Sequence, residues 1–148
     1  MIGKMLSKNV RIMSVYDPTT GTSTSILATA TVDMASNNGF EGVMFISTIG
    51  NCSTSVSMSI EAATSTTAGD FAALTLNTTA VSVSSTEANR AHVIDCYKPT
   101  RRYVRCTWNS TGASNTGGGI VALLYGPRTA PTTNASTDVV SEVHFVST

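Results

Sequence analysis

Charge is scarce in this chain: 12% of its 148 residues are Asp, Glu, Lys or Arg, nine of each sign, for a formal net charge of zero. No global field therefore draws it to nucleic acid or to an anionic membrane, so electrostatic recognition has to be local. Long apolar runs are absent as well. Nothing nears the roughly 18 residues of a membrane-spanning helix, and residues 1–17 lack the apolar core and small-residue cleavage site of a secretory signal. Cysteine is limited to Cys52, Cys96 and Cys106, an odd count without C-x-x-C spacing, which argues against both a disulfide framework and a zinc site. Reduced thiols and an intracellular compartment of synthesis are expected.

Recognisable catalytic machinery is lacking too. No Gly-x-Ser-x-Gly elbow occurs among the many serines. Gly117-Gly118-Gly119 precedes a strand-like run and has no Lys after it, so it does not read as a phosphate loop. His92 and Asp95 stand three apart, which on a strand sends them to opposite faces. Glu142 and His144 share a face, but two candidate ligands do not make a metal site. No enzyme, cofactor or metal is expected. The four Asn-x-Ser/Thr sequons, at Asn51, Asn77, Asn109 and Asn134, are about what chance supplies at this composition.

What the chain does have is serine and threonine, together roughly 29% of the residues. Thr and Val suit a pleated surface, and Ser competes with helical hydrogen bonds, so strands and turns are favoured. In residues 23–33, Ile26, Ala28, Ala30 and Val32 alternate with polar positions, the pattern of a strand with one buried face. Asn37-Asn38-Gly39 signals a turn. Val43-Met44-Phe45-Ile46, continuously apolar, reads as either a central strand or a strand covered on both sides. The alternation is cleanest at Val56, Met58, Ile60 and Ala62 against Ser55, Ser57, Ser59 and Glu61. Further strands are expected over residues 71–76, 80–84 and 139–146. A glycine-rich loop, 109–119, leads into Ile120-Val121-Ala122-Leu123-Leu124-Tyr125, which is apolar throughout and expected to be buried on both faces.

Short runs separated by turn residues predict an all-β fold, an antiparallel β-sandwich (jelly-roll-like) or barrel. Residues 1–20 read as an N-terminal arm or edge strand, 21–126 as the sandwich core, and 127–148 as a C-terminal extension with a terminal strand.

Residues 91–108 concentrate the chain's chemistry: three arginines, two tyrosines, two cysteines and the single tryptophan. Pro99 divides them into two strand-length runs, forcing a turn or a change of sheet. Val104, Cys106 and Trp108 share one face, and Tyr103, Arg105 and Thr107 the other. A tight hairpin would set Tyr97 opposite Arg102 and Cys96 opposite Tyr103, so the thiols are expected free and buried. Lys98, Arg101, Arg102 and Arg105 form the one basic concentration. They either solvate an edge and stack on Tyr97 or Tyr103, or meet an acidic protein surface, since Arg and Tyr are enriched at hot spots. Nucleic acid normally calls for a larger basic footprint.

Asp95-Cys96-Tyr97-Lys98-Pro99, then Arg102-Tyr103-Val104-Arg105, a glycine-bearing loop, and Ala122 with Tyr125-Gly126-Pro127-Arg128 and Pro131 form an ordered set. The set resembles a group of small structural proteins of tailed bacteriophages, the capsid decoration (cement, or head-stabilising) proteins. In that group a D-x-Y-x-P-x-x-R-Y-x-R segment precedes an A-x-x-Y-x-x-R-x-x-P segment. The resemblance covers about residues 90–131 and implies a non-enzymatic sandwich on the exterior of a virion, made in the bacterial host cytoplasm. Its implied partners are the major capsid protein, whose neighbouring capsomers it would bridge, and further copies of itself in a dimer or trimer. Tyr97, Lys98, Arg101, Arg102, Tyr103, Arg105 and Arg128 are the expected contact residues. The other readings are a carbohydrate-binding sandwich on a virion surface, stacking sugars on Trp108, Tyr103 or Tyr97, and a tail or connector component.

Overall fold

Alternating apolar side chains can bury one face of a strand only against a second layer, and here two antiparallel sheets supply it for each other. The computed structural model describes residues 9–16, 19–21, 26–36, 39–50, 55–74, 81–84, 90–110 and 115–129. The expected strand at 139–146, Glu142 with His144, Cys52 and the sequons at Asn51, Asn77 and Asn134 lie outside the described residues.

The strands are β1 (Val10–Tyr16), β2 (Thr19–Gly21), β3 (Ile26–Ala28), β4 (Val32–Asp33), β5 (Phe40–Ile49), β6 (Val56–Ala63), β7 (Ala72–Ala73), β8 (Val81–Val83), β9 (Ala91–Tyr97), β10 (Tyr103–Ser110) and β11 (Asn115–Pro127). The first sheet runs β1-β11-β5-β9, with β2 also on β11. The second runs β3-β10-β6-β7, with β4 on β10 and β8 on β6. The protein is an all-β antiparallel sandwich.

Its core lies between the inner faces. Val43, Phe45, Ile49, Ile120, Ala122 and Leu124 from the first sheet meet Val56, Met58, Ile60, Val104, Cys106 and Trp108 from the second. The clean alternation of β6 places Val56, Met58, Ile60 and Ala62 inside, as expected.

Several expectations need correction. The predicted strand at 23–33 is interrupted, giving β3 and β4 on either side of Thr29. Thr29 turns its hydroxyl into the ladder: its N–H donates to the Cys106 carbonyl at 2.9 Å, and its Oγ1 accepts from the Cys106 N–H at 3.0 Å. The side chain thus competes with regular pairing. The run at 71–76 yields only the exposed pair Ala72–Ala73 within the described residues. Residues 120–125 are buried on one face only, because Val121 on the other keeps 37% of its surface exposed. The glycine-rich segment 109–119 contains the end of β10 and the start of β11. Gly118 is needed there because Thr48 passes close by; a Cβ would sit 1.8 Å from the Thr48 carbonyl oxygen.

The tight hairpin at Pro99 does not form. β9 pairs with β5 in the first sheet and β10 with β6 in the second, so Tyr97 faces Gly42 and Tyr103 faces Ala63. The chain changes sheets at Lys98, which holds a left-handed φ of 50° immediately before the proline. Cys96 and Cys106 consequently sit in different sheets, free and buried, each on an inner face.

Candidate protein-contact surface

The sheet change gathers residues that are far apart in sequence. The Lys98 N–H donates to the Glu41 carbonyl at 2.8 Å, and the Arg128 N–H donates to the Gly39 carbonyl at 3.0 Å. These bonds bring the 98–102 crossing, the start of β5 and the end of β11 to one end of the sandwich. Between them lies an open cleft of about 280 Å³, lined by Met34, Phe40, Glu41, Lys98, Pro99 and Arg128.

The cations of this region divide into two groups. Arg102 and Arg105 are committed to carboxylates of their own chain. Arg102 donates from Nε and Nη2 to the two oxygens of Asp33, both at 2.8 Å, and its guanidinium lies 5.0 Å from the Tyr103 ring centre. The hydrogen bond from Arg102 holds the Asp33 carboxyl below its ordinary range and in turn raises the guanidinium. Arg105 faces Glu61 directly across the β10–β6 ladder. Its Nε and Nη2 reach Glu61 Oε2 at 2.8 and 2.7 Å, and its guanidinium stacks 4.0 Å from the Phe71 ring centre. With 17% of its side chain exposed, Arg105 belongs to the wall of the second sheet.

Lys98, Arg101 and Arg128 form the other group. All three are exposed, and none makes an ion pair among the described residues. Arg101 spends one donor on the Ala62 carbonyl at 3.1 Å. The Lys98 ammonium stands 5.0 Å from the Tyr97 ring centre; hydrogen bonding to Tyr97, then the charge of Glu41, push its pKa up. Tyr97 itself is 58% exposed. Of the seven expected contact residues, then, Tyr97, Lys98, Arg101 and Arg128 present free surface at this end. Arg102 and Tyr103 form a stacked, ion-paired unit beside them, and Arg105 is turned away into its pairing with Glu61. Trp108 is 3% exposed and packs in the core, so it offers no stacking surface.

The outer faces of the two sheets differ in character. On the second, Arg105 pairs with Glu61 and the hydroxyls of Ser59 and Thr107 meet at 2.6 Å. That face is polar and internally satisfied. On the first, the register aligns Ser14, Val121, Ile46 and Val93 in one row and Ile12, Leu123, Met44 and Asp95 in the next, a largely apolar face. Val93 keeps 48% of its surface exposed. The charge on that face is tied down: the Tyr125 phenol crosses Gly42 and donates to Asp95 at 2.7 Å. Burial first, then this bond, push the phenol's pKa above its ordinary value.

Neither thiol is poised for chemistry. Burial pushes Cys106 up to about 12 and raises Cys96 as well, the latter aided by the neighbouring Asp95 charge. His92 points to the inner face opposite Ser47 while Asp95 points outward, so they do not converge.

Sequence reasoning missed Asp33, Glu61, Glu41 and Tyr125. Each acts through a partner at least 30 residues away, and nothing in the local pattern marks such a pairing. Gly42 next to an apolar run was the one local signal, since glycine within a strand often marks a close approach.

Fold and surface together define a β-sandwich with one cationic, aromatic end, one apolar outer face and one polar outer face. The chain matches no protein-family model and no curated protein.

Proposed function

We propose that this chain is a structural protein of a bacteriophage virion, one that binds the capsid exterior and stabilises it by bridging neighbouring capsomers. The observation that carries the reading is the meeting of the two segments on which the phage resemblance rests. Asp95, Lys98 and Pro99 come from one and Tyr125 and Arg128 from the other, and the fold joins them at a single end. There Lys98 and Arg128 line the cleft with Met34, Phe40, Pro99 and Glu41, Lys98 also stands over Tyr97, and Arg101 is exposed on the same crossing, a composition suited to an acidic protein surface. The contact set is accordingly narrower than the basic concentration of the sequence, because Arg102 and Arg105 already hold carboxylates.

The test is reconstitution. Purified protein added to heads that lack it should bind and raise their resistance to heat and dilution. Replacing Lys98 and Arg128 with Glu should weaken binding by roughly tenfold or more and lower its salt dependence. Glu41→Gln should leave binding intact or tighten it. Heads that neither take up the protein nor gain resistance would end the proposal. A sugar-binding role is less well supported, since Trp108 is buried and Tyr103 lies under Arg102; of the three aromatic candidates Tyr97 alone is left.

A further inference from the structure

Among the described residues, β9 is an edge strand of the first sheet and pairs with β5 alone. The bond from the Lys98 N–H to the Glu41 carbonyl fixes the phase of that pairing. Cys96, Ile94 and His92 turn their backbone groups toward β5, so Tyr97, Asp95, Val93 and Ala91 turn theirs outward. Such an edge is a template for another strand, and proteins ordinarily blunt it with a lysine, a proline or a bulge. None of these falls within Ala91–Tyr97. The charged side chain of the strand, Asp95, is drawn back over the sheet by the Tyr125 hydroxyl, two strands away, which clears the edge.

We propose that this edge pairs antiparallel with the same edge of a second copy, about a two-fold axis at Ile94. A second copy is the occupant because the strand is its own complement. With the axis at Ile94, every outward-facing residue meets an outward-facing one: Ala91 with Tyr97 of the second copy, and Val93 with its Asp95. Four mutual pairs of two bonds each make about eight N–H···O bonds between chains. The large Tyr97 ring lies beside the small Ala91, and no two carboxylates meet. An axis at Asp95 would instead set two carboxylates together, and one at Val93 would carry Tyr97 past the end of the partner strand. The like charges that approach are Arg90 and Lys98, both exposed, at each end of the shared ladder. The pairing joins the apolar rows of both copies into one outer face. It does not require the cationic end to bind a capsid, although Tyr97 and Lys98 lie at both surfaces.

A single shared strand covers less than the roughly 800 Å² per partner of a standard interface, so the dimer should be concentration-dependent. Sedimentation velocity of the full chain, from micromolar to millimolar, should show the mass rising from one chain toward two, and added salt should shift it further toward two by screening Arg90 from Lys98. In hydrogen exchange, the Val93 and Asp95 amides should gain protection as concentration rises, whereas those of Ile94 and Cys96 are protected throughout. Val93→Pro removes one outward N–H from each copy, so the dimer loses two bonds and should weaken by roughly tenfold to thirtyfold. Val93→Lys should act the same way without touching the backbone. A chain that stays monomeric, forms a trimer, or dimerises with no concentration-dependent protection of Val93 and Asp95 would overturn the proposal.

Discussion

The Tyr125 hydroxyl reaches the Asp95 carboxylate, at 2.7 Å, by lying flat across Gly42 of the intervening strand. A Cβ at position 42 would stand 2.3 Å from both Cζ and the hydroxyl oxygen of Tyr125. Gly42→Ala must therefore lift the ring and break the bond. It should cost about 1–3 kcal/mol, the range for overpacking. Tyr125→Phe, which loses the bond and keeps the ring, should cost about 1 kcal/mol. Thermal melts should follow at roughly 2–4 °C per kcal/mol. A Gly42→Ala protein as stable as the parent would show that the ring has room to move.

The same tyrosine sets an alkaline limit. Its folded-state pKa is raised above the ordinary 10.0, by burial first and by Asp95 second. A group whose proton is held more tightly in the folded state contributes stability that is whole below its unfolded pKa. That contribution fades as pH climbs toward the folded value. Denaturant midpoints should accordingly fall above pH 10 more steeply for the parent than for Tyr125→Phe, and equal slopes would place the titration elsewhere.

Arg105 and Glu61 face each other in register, with 17% and 23% of their side chains exposed. Cross-strand ion pairs so shielded, and here stacked on Phe71, should couple by about 0.5–1 kcal/mol in a double-mutant cycle. The more exposed Arg102 and Asp33 pair should couple less, despite its two-pronged geometry. Measuring both cycles by urea unfolding would rank them, and the reverse order would mean that burial is not what matters here.

Cys106 is fully buried, and its thiol is pushed up to about 12. At pH 8 its thiolate population should be about three orders of magnitude below that of a free cysteine. Alkylation followed by peptide mass mapping should leave Cys106 and Cys96 unmodified in the native protein and label both in denaturant. Rapid native labelling of Cys106 would show that the sandwich opens far more readily than its packing implies.

Much of the fold is legible along the chain, because a side-chain period of two is a local property. Val56, Met58, Ile60 and Ala62 announce their inward face without reference to any partner, as do Val104, Cys106 and Trp108. Residues 120–125 misled for the opposite reason. Apolar side chains on both faces look like double burial, whereas Val121 and its row form an outer face that the described sandwich leaves open. The basic and aromatic residues around Pro99 were legible as a concentration of types, but their division was not. Arg102 and Arg105 look no different from Arg101 until Asp33 and Glu61 arrive beside them.

Composition and alternation by themselves settled that this chain builds strands, that Val56, Met58, Ile60 and Ala62 turn inward, and that its one basic concentration surrounds Pro99. The folded molecule alone decided that β9 and β10 belong to different sheets, that Tyr125 finds Asp95, and which of the cations around Pro99 hold carboxylates. The reason is that alternation depends only on residues two apart, whereas pairing joins positions 30 to 69 residues distant through the packing of the whole sandwich.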